Sequence, residues 1–125
     1  MKRLLLFVMI STALLGACGG GGDAGAAIES YINAVVAQDM DAAQNASCGA
    51  WEASAQTEVR SFDGVTARIE GLACTASGTD GDFTVVTCEG TIIATYQGED
   101  RPIDLAARAY LAAHEGGEFR MCGYQ

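Results

Sequence analysis

Residues 65–96 read VTARIEGLACTASGTDGDFTVVTCEGTIIATY, and their reading decides the fold. Thr, Val, Ile and Ala dominate two runs, Val65 to Ala76 and Phe83 to Tyr96, and Thr79-Asp80-Gly81-Asp82 lies between them. β-branched runs on either side of a Gly/Asp cluster predict two long antiparallel strands and a hairpin turn. Downstream, Gln97 to Pro102 reads as a connection and Ile103 to His114 as a third strand. Glu115-Gly116-Gly117-Glu118 reads as a tight turn and Phe119 to Tyr124 as a last strand. Upstream the period changes. Ile28, Tyr31, Ile32, Val35 and Val36 recur at helical spacing, which predicts an amphipathic helix over Ala26 to Gln38. Asp39 or Asp41 caps a second, shorter helix through Asn45, and Ala50 to Val59 forms a third helical piece. Helices first and strands after give an α+β domain, with N-terminal helices packed on a curved four-stranded antiparallel meander.

Hairpin register bears on the cysteines. A three-residue loop at Asp80, Gly81 and Asp82 sets Cys74 opposite Cys88, close enough to bridge. Of the three connectivities open to four cysteines, this leaves Cys48 to pair with Cys122. A two-residue loop in the last hairpin sets Leu111 opposite Cys122. Alternation then places Ile103, Leu105, Ala107, Ala109 and Leu111 on the face toward the helices, and Asp104, Arg108, Tyr110 and His114 on the other. An even number of cysteines suits an exported chain in an oxidising compartment. With no CxxC spacing and a single histidine, zinc and thioredoxin-type chemistry are disfavoured.

The fifth cysteine, Cys18, has another setting. Met1-Lys2-Arg3 is a short basic start, and Leu4 to Leu15 is an apolar run too short to span a bilayer. Together they read as a secretory signal. Leu15-Gly16-Ala17-Cys18 resembles the lipobox of bacterial lipoproteins. That resemblance implies cleavage after residue 17, acylation of Cys18, and a membrane anchor on the extracytoplasmic face of the cell envelope. Residues 18–25 are then the lipidated cysteine and a Gly-rich tether, and 26–125 the folded domain. Cutting 17 residues from 125 leaves 108, enough for one domain. The cut also removes two of seven bases, leaving five against 16 acids, a net charge of −11. So acidic a surface repels phosphate backbones, which argues against a nucleic-acid partner.

The Ala-rich first helix, the break at Gln38-Asp39, the short helices and the long-stranded meander together resemble the NTF2-like superfamily, the cystatin-like cone. The ending Gly116-Gly117-Glu118-Phe119-Arg120-Met121-Cys122-Gly123-Tyr124 is similar to the final hairpin of small exported members. The resemblance implies a pocket between helices and sheet. It leaves the activity open, because the superfamily holds isomerases, dehydratases and cyclases beside non-catalytic scaffolds.

Several residues are candidates for chemistry. Tyr31, Tyr96 or Tyr110 with a buried Asp would supply an isomerase's oxyanion hole, although Tyr31 on the helix stripe reads first as core. A dehydratase needs a His–Asp pair, and His114 beside a turn reads as a solvated edge residue. Asp39 and Asp41 read as helix caps, and Asp80 and Asp82 as turn residues without the ligand series of a calcium loop. Arg68, Arg101, Arg108 and Arg120 are expected to form cross-strand ion pairs, or to meet an anionic ligand. No catalytic set, metal site or cofactor emerges. The expectation is a non-catalytic module for a small apolar ligand or an envelope protein, with a pocket enzyme of the isomerase or dehydratase type as the alternative.

Overall fold

A computed structural model describes residues 23–125. The expected signal segment and Cys18 lie outside the described residues. Three helices precede the sheet: α1 (Ala24–Val36), α2 (Met40–Asn45) and α3 (Glu52–Arg60), the last entered through a 3₁₀ turn at Gly49–Trp51. Five strands follow: β1 (Thr66–Asp80), β2 (Phe83–Tyr96), β3 (Glu99–Asp104), β4 (Tyr110–Glu115) and β5 (Glu118–Tyr124). All strand pairings are antiparallel, in the order β1-β2-β4-β5, with β3 also on β2. The class is therefore α+β, with an open five-stranded sheet.

α1 begins where Asp23 accepts a 2.6 Å hydrogen bond from the Ala26 amide. It buries Ala24, Ile28, Tyr31, Ile32 and Val35, one helical stripe, against the sheet. Gln38, at φ 57°, ends it in the left-handed region, where the Gln38 amide reaches Val35 O and the Asp39 amide reaches Ala34 O. This double return satisfies the last carbonyls and turns the chain. Asp39 then caps α2 by accepting from the Ala42 amide at 3.1 Å. From α3, Ala55 and Val59 complete the helical side of the core, and Val86, Cys88, Ile92, Tyr110, Ala112 and Met121 supply the sheet side.

The two end strands of the β1-β2-β4-β5 path are each contacted at one point along their outer edges. On β1 the Cys74 amide, turned away from β2, donates to Glu29 of α1 at 2.9 Å. Gly25 packs so tightly on the Cys74 carbonyl that an added Cβ would overlap it. Beyond β5, the segment after α2 adds a parallel rung: the Cys48 amide donates to Met121 O and the Met121 amide to Ala46 O, at 2.7 and 2.8 Å.

Two disulfides are present. Cys74 and Cys88 are direct partners of the β1–β2 ladder, with Cα atoms 4.1 Å apart. Cys48–Cys122 fastens the α2–α3 connection to β5 across 74 residues of chain. In the chain-entropy account, loops this long and this short are worth about 4 and about 3 kcal/mol. Such bonds fit an oxidising compartment outside the cytoplasm.

Four details differ from the sequence reading. First, the sheet has five strands. The expected connection over 97–102 is a two-residue turn at Gln97 and Gly98 (φ 51° and 77°), and β3 starts at Glu99. The expected strand 103–114 breaks at a 3₁₀ turn, Leu105–Ala107, capped by Asp104 on the Ala106 amide at 2.9 Å. β3 and β4 thus run along different parts of the same edge of β2. Second, this break resets the side-chain alternation. Tyr110 and Ala112 face the core, and of the five residues expected there only Leu105 is buried, while Ile103 is 43% exposed. Third, the first hairpin loop has two residues, Gly81 and Asp82, and a bulge between Ala76 and Gly78 restores the register that joins Cys74 to Cys88. In the last hairpin another bulge, at Cys122, pairs Leu111 with Gly123 instead. Fourth, α1 begins at Ala24 with Asp23 as its cap, two residues before the expected start at Ala26, and ends at Val36.

Candidate functional site

The helices and sheet enclose a pocket of about 190 Å³, walled by Ile32, Val35, Phe62, Ile92 and Leu105. Its polar end gathers one residue from each of several elements. Tyr31 comes from the buried stripe of α1, and Glu58 from α3, one position before the core residue Val59. Tyr110 starts β4, Tyr124 ends β5, and Arg108 lies between the 3₁₀ turn and β4. Tyr31 Oη donates to Glu58 Oε2 at 2.8 Å, and Tyr124 Oη donates to Glu58 Oε1 at 2.7 Å. The indole N–H of Trp51 donates to Tyr31 Oη at 3.1 Å. Trp51 meets the Tyr124 ring edge-on at 5.4 Å. The Tyr110 ring lies 5.2 Å from Tyr124, and the Arg108 guanidinium stacks on the Tyr124 ring at 3.8 Å.

The electrostatics follow from burial. Desolvation pushes the Tyr31, Tyr110 and Tyr124 hydroxyls above the ordinary tyrosine value, because a phenolate would lose its water. The Glu58 carboxylate raises Tyr31 and Tyr124 further by accepting their protons. The positive charge of Arg108 works the other way on all three. Each Glu58 oxygen thus holds one tyrosine hydroxyl, and both hydroxyl protons point at Glu58.

The structure brings Tyr31 and Tyr110 together at the pocket, whereas Tyr96 stands 45% exposed at the far end of β2. His114 is exposed and stacks on Phe119 at 3.8 Å, and Asp39 caps α2. The arginines correct an expectation. Arg68, Arg101 and Arg120 pair with Glu70, Glu99 and Glu118 on their own strands, two residues away, and not across strands. Residues two apart share a face, so the nearest carboxylate is the in-strand one. Glu58, Trp51 and Tyr124 were missed. Trp51, Ala55 and Glu58 fall at i, i+4 and i+7, one helical face, and that spacing was the available signal. Among the described residues no group of three His, Cys, Asp or Glu side chains is placed to hold a metal ion. Among the same residues, no helix is long and apolar enough to cross a membrane. Comparison with known proteins returned no match among protein families, curated proteins or solved structures.

Proposed function

We propose that the chain is an exported lipoprotein whose NTF2-like domain, held outside the membrane by acyl chains on Cys18, binds a small ligand in the pocket beneath Tyr31, Glu58 and Tyr124. One observation carries the binding reading. The two tyrosine hydroxyls give their protons to Glu58, so these three groups satisfy one another and an apolar wall is left for a ligand's body. A catalytic tyrosine would aim its proton at the substrate. Burial also makes these hydroxyls weaker acids. The NTF2-like reading is supported by the helices-then-sheet order, the turn at Gln38, the bulged strands and the pocket's position. The anchor is supported by the lipobox-like Leu15–Cys18 and by two disulfides, which suit an oxidising space.

A carboxylate beside two tyrosines also favours a second reading, a pocket enzyme of the isomerase or dehydratase type. Trp51, the only tryptophan, reports the site through its bond to Tyr31. In an exported Cys18→Ser chain, hexanol should change Trp51 emission saturably, and Ile92→Phe, which crowds the wall, should weaken the response. A response that never saturates would refute the pocket reading. Radiolabelled palmitate should label the wild-type chain and not Cys18→Ser, and equal labelling would refute the anchor.

A further inference from the structure

We infer that the ligand of this pocket is a small amphipathic monoanion, its carboxylate held by Arg108 and its hydrocarbon body lying against Ile32, Val35, Ile92 and Leu105. This rests on the pocket reading above and adds the chemical class of the ligand. Three of the five arginines in the described residues have carboxylate partners on their own strands, and Arg60 sits in the exposed last turn of α3. Arg108 forms no ion pair among the described residues, yet it lines the pocket. Its flat face is fixed 3.8 Å over the Tyr124 ring. A guanidinium held by its face keeps N–H groups along its edge, in the fork that matches a carboxylate.

The other charges of the lining are engaged. Glu58 accepts two tyrosine hydroxyls, and Asp104 caps the Ala106 amide. A cationic ligand would compete with Arg108 for the Tyr124 face, which is already taken. A dianion would face one arginine, two lining carboxylates and a strongly acidic surface, so a single negative charge fits best. Size sets the body. A cavity of about 190 Å³ has room for about six groups of roughly 30 Å³ each.

The test is calorimetric titration of the exported Cys18→Ser chain near neutral pH, where a simple carboxylic acid is ionised. The probes are hexanoate, hexanol, hexylammonium and acetate. Hexanoate should bind roughly tenfold or more tighter than hexanol, as expected of a charge-assisted bond. Hexylammonium should bind more weakly than hexanol, and acetate, with no body, should be weakest. Arg108→Gln should bring hexanoate down to the level of hexanol in the same variant, with Arg108→Lys between. Hexanol equal to hexanoate, or hexylammonium the tightest, would overturn the anion preference while leaving the pocket reading in place. No binding by any of the four would overturn both.

Discussion

Removing one oxygen, by Tyr31→Phe, probes the closed cluster at its centre. Tyr31 is 1% exposed, and its hydroxyl both donates to Glu58 and accepts from Trp51. Loss of a hydrogen bond to a charged group costs about 1.5–3 kcal/mol, and an indole N–H left without a partner adds about 1. The expected loss is therefore about 2.5–4 kcal/mol, a large share of the ~5–15 kcal/mol typical of such domains. At ~4–8 °C per kcal/mol for a domain this small, the melting temperature should fall by roughly 10–30 °C. Urea unfolding followed by far-ultraviolet circular dichroism, with both disulfides oxidised, measures this directly. The midpoint should drop with the slope unchanged, since the surface exposed on unfolding stays the same. Tyr124→Phe shares the Glu58 acceptor, so the double mutant should depart from additivity by ~0.5 kcal/mol or more. A loss below ~0.5 kcal/mol for Tyr31→Phe, the level of an ordinary surface change, would show that water serves these groups and would refute the closed cluster.

Alkaline pH acts on the same groups. Burial holds the Tyr31 and Tyr124 hydroxyls above the ordinary tyrosine value of about 10, so above that value the unfolded chain releases protons that the native chain keeps. Their contribution is full below it and should be lost as pH rises, by ~1.4 kcal/mol per pH unit for each tyrosine. Urea midpoints that stay level between about pH 9 and 11 would contradict this. Gly25→Ala drives a Cβ into the Cys74 carbonyl, which is backbone and yields little. It should cost about 1–3 kcal/mol, whereas Gly78→Ala, with nothing within 4 Å, should stay within ~0.5. Glu29→Ala removes the partner of the Cys74 amide, so that amide should exchange its hydrogen much faster, with about 1–3 kcal/mol of stability lost. Unchanged exchange would mean that the β1 edge is not closed by α1.

What the sequence made legible, and what it hid, divides along physical lines. The α1 stripe and the Asp39 cap were readable because they depend on residues three or four apart. The Cys74–Cys88 pairing was reached with a hairpin loop one residue too long, and a bulge near Ser77 cancelled the error. Bulges leave no strong local signal, so the register of the last hairpin slipped at Cys122 for the same cause. The broken strand was hidden because Leu105-Ala106-Ala107 is apolar enough to pass for strand, and only the Asp104 cap gives it away. That single error inverted the inner face and kept Tyr110 away from the core in the reading. The site itself depends on contacts between residues far apart in sequence, Tyr31 with Glu58 and Glu58 with Tyr124. No single-segment pattern specifies such a meeting. Tyr31 could be placed on the buried stripe, but its partners could not be named.

The central claim is a lipid-anchored domain, stapled twice in an oxidising space, and mass spectrometry of the protein isolated from its own cells tests it most directly. A non-reducing digest should yield an N-terminal peptide beginning at an acylated Cys18, with Cys48 joined to Cys122 and Cys74 joined to Cys88. An unmodified thiol at position 18, or the other four sulfurs free or joined in a different pattern, would contradict the account.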